Sequence, residues 1–105
     1  MRSRAEAAAA LLKALANRSR LLLLCELLDG ERTVGDLSDA VGMSMSAVSQ
    51  HLARLREESL VSTRRESQTV HYALADAAAE RMLRALHDHY RRAATARKPP
   101  KGKTR

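Results

Sequence analysis

"MSMSAVSQHLARLREESLVSTRR", residues 43–65, opens on a helix start and closes on a basic strand. Ser44 is of the type that caps a helix N-terminus, and Met43 and Val48 stand at the N′ and N4 positions of a hydrophobic staple. Val48, Leu52 and Leu55 recur at helical spacing and share one face. After Leu60 the period changes. Val61, Thr63 and Arg65 alternate along one run; in the next, Thr69, His71 and Ala73 alternate with Val70, Tyr72 and Leu74. Glu66-Ser67-Gln68 is the polar break between them, so the region reads as a β-hairpin. Its loop has no glycine, which leaves the turn type open.

Upstream, Thr33 and Asp36 have the spacing of a capping box, with Asp in place of Glu, and open a short helix whose inner face is Val34, Leu37 and Val41. Gly42 closes it, and a tight Gly42-Met43-Ser44 turn leads into the next helix. Two short helices joined in this way are the pattern of a helix-turn-helix. Before them, Asn17 caps "RSRLLLLCELLDG", a helix apolar nearly all round from Leu21 to Leu28 and therefore expected at the centre, with Gly30 as its C-cap glycine. A first helix over Ser3 to Ala16 carries the stripe Ala8, Leu11, Leu12 and Leu15. A last helix from about Asp76 to Arg92 carries Ala79, Met82, Leu83, Leu86 and Tyr90. The predicted fold is mostly α with a β-hairpin wing, a winged helix-turn-helix in the order α-α-α-α-β-β-α.

The chain has 105 residues, enough for one domain. Its formal net charge of +7 is unevenly placed. Residues 91–105 supply seven positive charges and no acid, whereas residues 1–90 balance 12 basic against 12 acidic side chains. The expected division is therefore a winged helix-turn-helix domain over 1–92 and a basic disordered tail over 93–105. A domain this small buries a limited share of its surface, which favours a dimer. No apolar run approaches the roughly 18 residues of a membrane span. With one cysteine, Cys25, and no secretory pattern at the start, a cytoplasmic protein is expected.

At about 100° per residue, Ser46, Gln50, Ala53 and Arg54 point away from the Val48/Leu52/Leu55 face, with Ser49 at the flank. Small polar side chains at the start of such a helix let it enter a major groove, where Gln pairs with adenine and Ser with several bases. Ser46, Ser49 and Gln50 are the candidate base readers. Ser44, His51, Arg54, Arg56, Arg64 and Arg65 are the candidate phosphate contacts. The bland alternative is a solvated helix face. The rival from another class is a winged-helix protein-interaction module, against which the basic hairpin and the serine/glutamine face both argue. Nothing resembles a catalytic constellation or a phosphate-cradling loop, so no enzyme is expected.

"ALANRSRL", "LSDAVGMSMSAVSQHLARLREESLV" and "RRESQTVHY" resemble the ArsR/SmtB family of bacterial transcriptional repressors, over about residues 11–74. The resemblance implies a homodimer built from the first and last helices, bound to a palindromic operator in double-stranded DNA and released by a chemical signal. From the sequence itself, no membrane partner, small-molecule substrate or cofactor is expected. Where the family has Gly before "LV", this chain has Ser59, at a position that favours a left-handed backbone.

Two family signals can be weighed. The family's cysteine pair on the third helix is absent from "TVGDLSDAVG". Its acid and histidine ligands across the last helices leave Asp76 and His87, with His89 near, as weak metal candidates. Leu74 and Tyr90 stand where further ligands belong, so no metal site is expected. The nearest likeness is to the BigR/SqrR/HlyU/NolR-like branch. Cys25 matches that branch's thiol on the second helix, and Arg91 stands where its second thiol would be, so their bridge cannot form. Cys25 is then either a small core residue or a single-cysteine sensor of reactive sulfur or oxidants.

Overall fold

Side-chain caps start the helices where the sequence places them. The computed structural model describes residues 2–97. Its elements are α1 (Arg2–Leu15), α2 (Arg18–Glu26), α3 (Val34–Val41), α4 (Met45–Glu57), β1 (Val61–Glu66), β2 (Thr69–Leu74) and α5 (Ala77–Arg97). Asn17 Oδ1 accepts the Arg20 amide at 3.0 Å, Thr33 and Asp36 close both halves of their capping box, and Ser44 Oγ accepts the Ala47 amide at 3.1 Å. Each bond satisfies an amide that a helix start leaves without a partner.

The helix ends were less legible. α2 stops at Glu26 and tightens into a 3-10 turn over Leu27–Asp29, which turns Leu27 into the core. Gly30, at φ 131°, therefore follows that turn instead of capping the α-helix as expected. α4 ends in a Schellman motif. The Leu60 amide donates to the Leu55 carbonyl at 2.9 Å, and the Ser59 amide to that of Arg56 at 2.9 Å. Ser59 takes the left-handed position, at φ 63°. Glycine enters that region without a Cβ penalty. We expect Ser59→Gly to stabilise the protein by about 0.5–1 kcal/mol, read as a raised midpoint in chemical denaturation.

α2 packs on α1, α3 and α5, while α4 packs on α3 and β1. Leu23, Leu24 and Leu27 of the α2 region, Leu37 of α3, Val48, Leu52 and Leu55 of α4, and Ala79 and Leu83 of α5 form one core with Leu15, Leu60 and Val61. The wing is an antiparallel pair running from Val61↔Leu74 to Glu66↔Thr69. Its two-residue Ser67-Gln68 turn has its only positive φ, 60°, at Ser67, the φ pattern of type II′. Arg32 adds a bridge to the free edge of β2, exchanging backbone bonds with Tyr72 at 3.0 and 2.8 Å.

The two end helices are only half covered. In α1 the expected stripe holds at Leu15 and in part at Leu11, but Ala8 and Leu12 lie exposed, with no other described element against them. In α5, Ala79 and Leu83 are buried while Leu86 and Tyr90 are 40% and 65% exposed. α5 also continues to Arg97, five residues past the expected end, as its Ala-rich sequence allows. The rest of the basic tail, 98–105, lies outside the described residues.

Candidate nucleic-acid interface

The helix-turn-helix is locked at its turn. Gly42 closes α3 in the left-handed conformation (φ 72°, ψ 31°), and the Ser38 hydroxyl donates to the Met43 carbonyl. The second bond was not legible in the sequence, where Ser38 is one polar residue among several. With the Ser44 cap it fixes the angle at which α4 leaves α3.

α4 presents the expected face. Val48, Leu52 and Leu55 are fully buried, and Ser46, Ser49, Gln50 and Ala53 are exposed. Ser44, at the turn, is exposed while its Oγ serves as the cap. Met45, which the sequence reading passed over, is 55% exposed on the first turn of α4. His51 is half-buried at the edge.

The arginines divide into spent and available ones. Arg20 Nε donates to the Ala14 carbonyl at 2.8 Å, Arg32 Nε to that of Glu26 at 3.3 Å, and Arg84 Nη2 to that of Leu28 at 3.2 Å. These three bring positive charge to backbone carbonyls at the C-terminal ends of helices, where a cation is favoured. Arg54, Arg56 and Arg65 are exposed, and their guanidiniums make no ion pair or hydrogen bond with another described residue. Arg54 borders a cleft against α1 that Arg20, Glu58 and Asp76 also line. Arg64 is bound up within the chain: its guanidinium meets Glu31 at 2.8 Å and Glu66 at 3.2 Å. Hydrogen bonding from Arg64 holds the Glu31 carboxyl below its ordinary range, and the carboxylates raise the Arg64 guanidinium further. The strand pleat puts Arg64 and Arg65 on opposite faces of the wing.

The weak metal candidates do not meet within one chain. Asp76 Oδ1 accepts the Ala79 amide at 2.8 Å as the cap of α5. His87 is exposed eleven residues further on, roughly 16 Å along the helix. Among the described residues no three His, Cys, Asp or Glu side chains are grouped to hold a metal.

Cys25 is half-buried, not sealed in the core. It lines a groove of about 740 Å³ between α2 and α5, with Leu21, Leu22, Leu86 and Tyr90, and with Arg18, His87 and Arg91 also on its walls. Burial pushes its thiol above the ordinary value, and the Glu26 charge adds to the rise.

Residues 17–63, the helix-turn-helix with the helix before it, match the family described as "Bacterial regulatory protein, arsR family". The chain is 52% identical over 83 residues to the transcriptional activator HlyU of Vibrio cholerae serotype O1, covering 79% of this chain and 77% of that protein. This chain belongs to the ArsR family. It is also 50% identical over 86 residues to the nodulation protein NolR of Rhizobium meliloti, covering 82% of this chain and 70% of the relative. The solved structure of HlyU from V. cholerae N16961 superposes with a TM-score of 0.81 at 49% identity, covering 86% of this chain and 98% of that one. The transcriptional repressor BigR from Xylella fastidiosa superposes at 0.79 with 39% identity, covering 86% and 92%. As an ArsR-family winged helix-turn-helix protein of the HlyU/NolR/BigR branch, the chain is a DNA-binding transcriptional regulator and not an enzyme. No described helix is long and apolar enough to cross a membrane.

Proposed function

We propose that this chain represses transcription as a homodimer on a palindromic operator, with α4 of each copy in a major groove. The observation that carries the reading is the division of α4, whose Ser46, Ser49 and Gln50 are exposed opposite three fully buried core residues. Gln50 offers a bidentate pair to adenine, the serines adapt to either partner, and Met45 has the apolar surface to meet a thymine methyl. Ser44, His51, Arg54, Arg56 and Arg65 surround them as contacts to the phosphate backbone, giving register and affinity.

The end helices supply the second copy's place. Residues 4–10 of α1 are exposed throughout, and a helix of that length is marginal in water without packing. Leu12, Leu86 and Tyr90 are large apolar side chains left in solvent on the same two helices. Pairing α1 and α5 across a two-fold axis covers them and sets the two α4 helices toward successive major grooves.

The test is a DNA titration across salt. Three available cations from each of two copies correspond to a log–log salt slope of about −5. Arg65→Ala is expected to weaken binding to all sequences alike and to reduce the slope by about 1 per copy. Binding that ignores salt contradicts the reading.

A second reading concerns the signal. Cys25 opens to a groove between α2 and α5, so a sulfane-sulfur or oxidant adduct there adds bulk between a core helix and a dimer helix. Its raised pKa means less thiolate at a given pH than in an ordinary cysteine. We expect iodoacetamide to label Cys25 in the folded protein more slowly than a free thiol at pH 7.5, with the rise in rate displaced to higher pH than the free thiol's. Release of DNA by polysulfide that persists in Cys25→Ser would remove Cys25 as the sensor.

A further inference from the structure

Glu31 and Arg32 are consecutive, and both hold the wing. Arg32 pairs through its backbone with Tyr72 on β2. The Glu31 carboxylate reaches past β2 to Arg64 on β1, accepting from Nε at 3.0 and 3.2 Å and from Nη2 at 2.8 Å. Arg64 Nη1 donates to Glu66 at 3.2 Å, and Glu66 lies 3.8 Å from His71 Nε2, the cross-strand partner position of Arg64.

An exposed ion pair of this kind contributes little to stability, and these side chains are 39% and 50% exposed. A forked guanidinium–carboxylate contact nonetheless fixes direction. Direction matters here because a two-stranded hairpin is marginal on its own and takes its orientation from whatever holds it. Charge points the same way. Two carboxylates flank Arg64, so it brings no net positive charge to a phosphate, whereas the Arg65 guanidinium on the opposite face meets no acid or acceptor among the described residues.

We infer that Glu31 and Arg64 are positioning residues: their clasp holds the wing at the angle from which Arg65 meets the DNA backbone, and Arg64 is not itself a phosphate contact. The inference rests on the reading of the wing as a DNA contact.

The test compares Glu31→Gln, Arg64→Ala, their double variant, Arg64→Lys and Arg65→Ala in the full chain. DNA from the protein's own upstream region is titrated at several salt concentrations, and a thermal melt checks the fold of each variant. The clasp predicts that Glu31→Gln and Arg64→Ala each weaken binding by about three- to tenfold, that the double variant is no weaker than either, and that the salt slope is unchanged. Arg64→Lys keeps the charge but loses the fork, so it should be as weak as Arg64→Ala. A slope reduced in Arg64→Ala, binding restored in Arg64→Lys, or tighter binding in Glu31→Gln would each overturn the inference, making Arg64 a phosphate contact that Glu31 competes for. Unchanged binding in both single variants overturns it as well. An unchanged slope in Arg65→Ala beside a coupled Glu31/Arg64 loss would retain the clasp and withdraw the phosphate role of Arg65.

Discussion

Leu52→Ala is expected to destabilise the protein by about 2–5 kcal/mol and to abolish DNA binding at the temperatures where the parent chain binds. Leu52 is fully buried, on the inward stripe of α4 between Val48 and Leu55. Truncation removes its transfer free energy and leaves a cavity that the surrounding leucines fill only in part. Small domains have about 5–15 kcal/mol in total, so the loss is a large share of it. The effect reaches function because the same helix carries the base-reading face: if α4 is not held, Gln50 has no fixed position. Ala53 is the control. It is next in sequence but exposed, and Ala53→Gln should change stability by no more than about 0.5 kcal/mol. Both are measured by chemical denaturation at one fixed protein concentration, since dimer stability depends on it. Equal effects at 52 and 53 would mean that α4 is not buried in this register.

Gln50→Ala should leave the melting temperature nearly unchanged and remove about 1–3 kcal/mol of discrimination at one base pair of each half-site. Gln50 is exposed and its side chain makes no hydrogen bond with another described residue, so its truncation takes nothing from the fold. What disappears is one bidentate pair to a base edge. Affinity for scrambled DNA, carried by the phosphate contacts, should stay within about twofold of the parent. The measurement is competition between the operator and single-base-pair variants. Specificity that survived intact would place the reading face elsewhere on α4.

What could be read from the sequence was local. The Asn17 and Ser44 caps, the Thr33/Asp36 box and the alternation of the hairpin each depend on residues within a few positions, and the structure bears each out. The left-handed backbone at Ser59 is implied by the resemblance to a family that has Gly there, and the motif that ends α4 is its physical reason. What escaped was long-range. The alternation of the hairpin already sets Arg65 on the side of Val61 and Thr63, opposite Arg64, but nothing in the sequence shows that a carboxylate 33 residues away takes Arg64. Arg84 meets a carbonyl 56 residues away, and Arg32 adds a bridge to β2 from a segment with no strand pattern. Asp76 shows the same contrast: weighed against distant histidines it is a weak metal candidate, while weighed against the amide three residues on it is the cap of α5. The apolar stripes of α1 and α5 were legible as stripes, but only the fold shows that the chain covers half of each.

The most direct test of the central claim is hydroxyl-radical footprinting of the purified protein on the DNA upstream of its own coding sequence. A dimer reading a palindrome through two α4 helices predicts a two-fold symmetric footprint with half-sites about 10–10.5 base pairs apart, or a multiple of that, lost in Gln50→Ala at concentrations where the parent chain protects. Uniform protection without symmetry, or a footprint unaffected by Gln50→Ala, would contradict the account and leave a protein that binds DNA by charge alone.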